Sequence, residues 1–206
     1  MARRTKEEAQ ETRNRILDAA ERVFLERGVS RTSLNEIAAA AGVTRGAIYW
    51  HFQDKSDVFN AMMTRVTLPL EEAMRRLDNP SVGPVEVLRD AFVDAFRRTV
   101  EEPQVRRVFE IAIHKVEYVD DTAAVRERHV AHRGEKLVQF ERALRLAAAR
   151  GEIGGDVPPD VAAAGLHALI SGVFQNWLLT PDAFDLMAVG TRSFDVFVAG
   201  LGYRRD

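Results

Sequence analysis

Residues 32–55 read TSLNEIAAAAGVTRGAIYWHFQDK. Ser33 and Glu36 stand at the spacing of a capping box, which starts a helix by giving partners to backbone N–H groups that would otherwise lack them. Leu34, Ile37, Ala38 and Ala41 then recur at helical spacing and make one apolar face. Gly42 follows the last of them, where a left-handed stop meets no Cβ clash. Thr44 caps a second helix after a short break. On that helix Ala47 and Ile48 face one way, while Arg45, Gly46, Tyr49 and Trp50 face the other. Two helices joined by a tight glycine-containing turn predict a helix-turn-helix over 33–52, with the second helix in the major groove of duplex DNA.

The side chains on the second helix fit that target. Arg45 lies in the first turn, the part that reaches base edges, and a guanidinium can grip guanine O6 and N7 together. Gly46 lets the backbone approach the groove closely. Tyr49 and His51 offer hydrogen bonds to phosphate oxygens, and Lys55 adds a charge beside the next helix; such contacts set register, not sequence preference. Ser33 and Trp50 complete the expected DNA-binding set. Taken singly, Arg45 or Lys55 reads equally well as an ordinary solvated charge. It is the coincidence of cap, turn and contacts that favours nucleic acid.

The segment VTRGAIYWHFQDK, preceded by TSLNEIAAAAG, resembles the DNA-binding domain of the TetR family of bacterial transcription regulators, over about residues 12–63. The opening ARRTKEEAQETR is similar to the branch that represses multidrug efflux pumps, of the AcrR and TtgR type. The resemblance implies an all-α homodimer. Its N-terminal three-helix DNA-binding domain would cover about 10–70, and a larger ligand-binding and dimerisation domain 71–206, with about nine helices in all. It places Arg45 and Gly46 at base-reading positions, and Thr44, Tyr49, His51 and Lys55 near phosphates. Control of a catabolic or lipid-related operon is the alternative within the same family.

Composition agrees. The chain has 206 residues, 46% of them hydrophobic, enough for a sizeable core. It has no cysteine, which excludes disulfides and thiolate metal sites. The start, MARRTKEEAQ, is charged and lacks the apolar stretch of a signal peptide, so a cytoplasmic protein is expected. Net charge is −2, but residues 1–65 hold 11 Lys and Arg against 9 Asp and Glu, leaving 18 against 22 for the rest. That asymmetry alone would not indicate nucleic acid; placement matters more. Arg3, Arg4 and Lys6 form a basic arm, either a minor-groove or phosphate contact or a frayed terminus, and the groove-facing helix carries no acid.

The remainder reads as helices without a strand. A Thr5–x–x–Glu8 capping box opens the first helix, which stacks Ile16, Leu17, Ala20, Val23 and Phe24 and stops at Gly28. A fourth helix runs from Lys55 toward Leu77, with Pro69 as a kink or break. Residues 78–84 form a loop, and Pro84 and Pro103 suit first helical positions. A long helix covers 123–150. The last two cover 160–179 and 181–201. Residues 161–179 contain no charged side chain, so this helix must be buried on several sides. His167, Ser171, Gln175 and Asn176 argue against a membrane span. Burial against a partner subunit, with the last helix, is the expected solution, and a two-fold dimer implies a roughly palindromic operator.

His167, Ser171 and Gln175 fall at i, i+4 and i+8. They line either a cavity for ligand or a face satisfied by backbone groups or across the dimer seam. Phe92 and Phe96, Phe109 and Ile113, with Phe140 and Phe174, complete the candidate pocket, although aromatic stripes are often plain core. None of these residues carries a formal charge, so a small, neutral, hydrophobic or aromatic effector is expected. Efflux-repressor relatives often place ionisable or amide groups there, so their ligand preferences do not carry over. No cofactor or metal is expected. His129 and His132, at i, i+3, offer a metal-dependent enzyme as a remote alternative, but Arg126, Arg128 and Arg133 crowd the same segment and disfavour a cation. No phosphate loop or nucleophile motif is present.

Overall fold

A computed structural model describes residues 6–116 and 123–204, without the side chains of Leu68, Leu70 and residues 123–133. The Thr5 capping box, Arg3, Arg4 and the side chains of His129 and His132 lie outside the described residues. Among those described there are nine α-helices, one 3-10 turn and no strand. The helices are α1 (Lys6–Arg27), α2 (Leu34–Ala41), α3 (Arg45–His51), α4 (Lys55–Arg75), α5 (Pro84–Glu101), α6 (Pro103–His114), α7 (Ala123–Ala149), α8 (Pro159–Leu179) and α9 (Leu186–Gly200), with the 3-10 turn at Arg76–Asp78 after α4.

Two sequence expectations shift. α4 runs unbroken past Pro69. The proline removes one backbone donor there, but Met62, Val66 and Met74 are buried along the same helix and packing holds it. The last helix starts at Leu186, not at 181, because Asp185 caps it: its Oδ1 accepts from the Ala188 N–H at 2.9 Å. That cap satisfies donors the Pro181 start would leave open, and Phe184 falls outside the helix.

The chain divides into two compact units. One runs to Val66 and takes in Arg107–Val130; the other holds Thr67–Arg106 and Ala131–Asp206. The first division falls after Val66, and the α6 segment from Arg107 returns to the first unit. Its cause is local: the Val29 N–H donates to the Lys115 carbonyl at 2.9 Å, and Arg107 Nη2 reaches Glu21 Oε2 at 3.5 Å.

In the first unit, α1 packs on α2 and α3. Ile16, Leu17, Ala20 and Phe24 meet Ile37, Ile48, Val58 and Met62 in a core where all are fully buried or nearly so. In the second unit α5 packs on α9 and α9 on α8. Gly190 on α9 permits that approach, since a Cβ there would lie 2.6 Å from the Phe96 ring. Arg89 on α5 grips Asp195 on α9 with two hydrogen bonds, Nε to Oδ1 at 2.7 Å and Nη2 to Oδ2 at 3.3 Å.

Candidate nucleic-acid interface

The helix-turn-helix is assembled from short-range devices. The Ser33 Oγ accepts from the Glu36 N–H at 3.3 Å, while Glu36 Oε2 accepts from the Ser33 N–H at 2.8 Å. That backbone hydrogen bond, with the Ser33 hydroxyl and Arg27 beside it, holds the Glu36 carboxyl below its ordinary pKa. α2 ends at Gly42 in the left-handed region (φ 64°), where the Gly42 and Val43 N–H groups return to the Ala39 and Ala38 carbonyls. Arg15 on α1 then donates to the Ala41 carbonyl at 2.8 Å, tying the helix end to the scaffold. Thr44 Oγ1 accepts from the Ala47 N–H at 3.2 Å and opens α3.

α3 is anchored through one residue. Ile48 is its buried side chain, followed by the buried C-cap Phe52, over whose ring Arg13 sits at 5.1 Å. Arg45 and Gly46 are exposed, Tyr49 is 47% exposed and Trp50 73%. The Arg45 guanidinium lies 5.7 Å from the Tyr49 ring centre, and the Trp50 and half-buried His51 rings meet edge-on at 4.5 Å. A Cβ added at Gly46 meets nothing within 4 Å. The fold itself therefore does not demand glycine at that position, and the open space faces outward with the exposed residues. The face carries no acidic residue, so it can accept phosphates and base edges without like-charge repulsion.

Three expected contact residues have intramolecular roles as well. Ser33 and Thr44 are the helix caps, and Lys55 Nζ donates to the Ser30 carbonyl at 2.8 Å, bridging the start of α4 to the α1–α2 loop. Sequence reasoning missed Arg13 and Arg15, which support the motif from behind. It also missed Glu21, 1% exposed, which accepts from Arg65 at 3.1 Å and Arg107 at 3.5 Å. The signal was there: Glu21 stands at helical spacing between Leu17 and Phe24 on the buried face of α1.

In the second unit the candidate pocket residues separate. Phe92, Phe96, Phe140 and Phe174 are buried. Phe92 meets Phe140 edge-on (ring centres 5.2 Å apart) and Phe194 at a tilt (5.7 Å), as Phe96 meets Phe174 (5.0 Å) and Phe140 meets half-buried His167 (6.4 Å). Ser171 and Gln175 are exposed on the single chain, Ser171 Oγ 3.5 Å from His167 Nδ1. The expected polar stripe thus passes from core to surface. The reason is angular: the buried face of α8 runs through Leu166, Ile170, Phe174 and Trp177, and Ser171 and Gln175 each follow a buried residue by one position, about 100° around the helix. Phe109 and Ile113 are half-buried and belong to the first unit. An ion pair also lies near the aromatic residues. Lys136 on α7, 7% exposed, pairs with Glu71 on α4 at 3.0 Å, one helical turn from Phe140.

Comparison with known proteins agrees with this geometry. Residues 16–62 match the model of bacterial regulatory proteins of the tetR family, and residues 83–203 that of the C-terminal region of MAATS-type transcriptional repressors. The chain is 39% identical to the HTH-type transcriptional regulator TtgR of Pseudomonas putida, over 91% of this chain and 90% of that one. Among solved structures, NalD of Pseudomonas aeruginosa, described as the secondary repressor of the MexAB-OprM multidrug efflux pump, superposes with a TM-score of 0.83 at 37% identity, covering 95% of this chain and 98% of its own. The triclosan complex of SmeT, the Stenotrophomonas maltophilia efflux-pump repressor, superposes with a TM-score of 0.84 at 37% identity, covering 92% and 91%. These are transcription regulators and not enzymes, which leaves the His129–His132 alternative without support. The chain belongs to the TetR family of bacterial transcription regulators.

Proposed function

We propose that the protein is a cytoplasmic, ligand-responsive repressor that binds a palindromic operator as a homodimer and controls a multidrug efflux operon. The observation that carries this reading is α3: one buried anchor, both ends bonded into the fold, and an acid-free outer face presenting Arg45, Gly46, Tyr49 and Trp50. Arg45 reads bases, while Tyr49, His51 and the Thr44 end of the helix meet phosphates.

Dimerisation uses α8 and α9. Val161 and Leu179 on α8 are 56% and 69% exposed, and Val189 and Val196 on α9 are 40% and 59% exposed. α8 is long and apolar enough to cross a membrane by length and composition alone. Its packing on α9 and the absence of charge after Asp160 suit a second copy of the chain better.

The effector is a small hydrophobic or aromatic molecule, held by the cluster of Phe92, Phe140, Phe174 and His167 in the second unit. NalD's role at an efflux pump and SmeT's complex with triclosan support the class of gene and of ligand. Effector prefers an arrangement of the dimer in which the α3 helices no longer fit successive grooves, and the population shifts accordingly.

Footprinting on the protein's own promoter, repeated with triclosan, tests this. A symmetric protected region that disappears with ligand is expected. No protected region, or a sedimentation mass of one chain, overturns the reading. Operator affinity should also fall steeply with salt as phosphate contacts release counterions.

A further inference from the structure

We propose that Thr67, Glu71, Lys136 and Gln139 form a polar effector subsite that recognises a neutral hydroxyl group on an aromatic ligand. The inference rests on the reading of the second unit as the effector site. Its starting point is a set of buried polar groups that the fold itself leaves unmatched. Lys136 Nζ gives one hydrogen bond, to Glu71 Oε1 at 3.0 Å, and an ammonium has three N–H groups to place. Gln139 Oε1 and Thr67 Oγ1 are buried and have no hydrogen-bond partner among the described residues.

Thr67 is the more informative of the two. Thr12, Thr64 and Thr99, also inside helices, each donate to the carbonyl four residues earlier, at 2.9, 2.9 and 2.7 Å. Thr67 is 6% exposed and makes no such bond. A buried polar atom without a partner costs about 1–3 kcal/mol, which a helix would ordinarily avoid by that local bond.

One ion pair joins the two helices that carry the four residues. Thr67 and Glu71 are i, i+4 on α4; Lys136 and Gln139 are i, i+3 on α7; and the Lys136–Glu71 pair joins the two helices within the second unit. Phe140 follows Lys136 by four residues on the same face of α7 and carries the aromatic wall, with Phe92 at 5.2 Å and His167 at 6.4 Å. Polar groups and apolar wall are therefore contiguous.

The unmatched atoms specify the ligand. The free N–H groups of Lys136 need an acceptor, while Gln139 Oε1 needs a donor. A hydroxyl is both, because its oxygen accepts while its hydrogen donates. Lys136 and Glu71 already balance in charge, so a ligand cation would face the ammonium and a ligand anion would compete with Glu71. Either would bury an unpaired ion. A phenol satisfies the hydroxyl and the wall together, whereas its methyl ether keeps the acceptor and loses the donor.

Calorimetric titration of the full-length protein with 2-naphthol and 2-methoxynaphthalene provides the test. The naphthol should bind ~10-fold or more tightly, because a site built to pair a hydroxyl rejects the analogue that lacks its proton. Gln139→Leu and Thr67→Val should reduce that preference toward parity, with the loss falling on the naphthol. Because each removes an unmatched polar atom, thermal stability of the ligand-free protein should hold or rise, which excludes misfolding as the cause. The double change Lys136→Met with Glu71→Gln, which leaves no unpaired charge, should abolish the preference. Equal binding of the two ligands to the unaltered protein overturns the subsite and leaves the aromatic-effector reading standing. Binding of neither ligand sinks that reading as well.

Discussion

Helices α3 and α8 both expose large apolar side chains, Trp50 at 73% and Leu179 at 69%, yet they are built on opposite terms. α3 is seven residues long, too short to be stable alone. It is held by the Thr44 cap, the Ile48 anchor and the Phe52 C-cap, so that its outer surface is free for a polar, charged target. α8 is 21 residues long, carries no charge after Asp160, and buries a continuous row of Ala162, Leu166, Ile170, Phe174 and Trp177. Its exposed residues extend an apolar surface that demands another apolar surface. Exposure of an aromatic or aliphatic side chain therefore says little until the polarity of its neighbours is read with it.

The sharpest way to break the contrast is to charge α8. Val161→Glu with Leu179→Glu sets like charges against each other across the proposed symmetric seam, at a cost of several kcal/mol. Sedimentation should show single chains, while circular dichroism retains the helical signal. Ile48→Ala attacks the opposite design by removing the one buried anchor of α3; a loss of about 2–5 kcal/mol in chemical denaturation is expected. Arg45→Ala leaves the anchor and removes the proposed base contact. It should cost roughly 1–3 kcal/mol of operator affinity at each half-site, by anisotropy titration, with no change in melting temperature or in effector binding.

The smallest effect concerns the cap of α2. Ser33→Ala should destabilise the head by about 1 kcal/mol. The sign of its pH dependence follows from Glu36, whose folded pKa lies below the ordinary carboxylate value. Its stabilising contribution is present above that ordinary value and is lost as pH falls through the depressed one. The gap between wild type and Ser33→Ala should narrow in acid, as equilibrium unfolding at stepped pH would show.

The helix-turn-helix was legible because its devices act over three or four residues: Ser33 to Glu36, Gly42 after Ala41, Thr44 to Ala47. Each is written in a short word of sequence, and the structure repeats them. The late start of α9 at Leu186 was missed because a proline at 181 competes with an aspartate cap at 185, and both are legitimate openings. Ser171 and Gln175 were misplaced relative to the core because an uncharged helix offers little contrast between its faces. One position around α8 was enough to bring them to the surface.

Sequence alone settled the class of fold, the existence of the head and the direction in which α3 faces, since backbone capping and helical periodicity are local. Tertiary structure decided which distant groups meet. It drew Arg107 of α6 to Glu21 of α1, and it set Lys136 of α7 against Glu71 of α4 near the aromatic wall. Those partners lie 86 and 65 residues apart in the chain. Pairing of charges at such separations depends on how helices pack, and no short-range pattern encodes it.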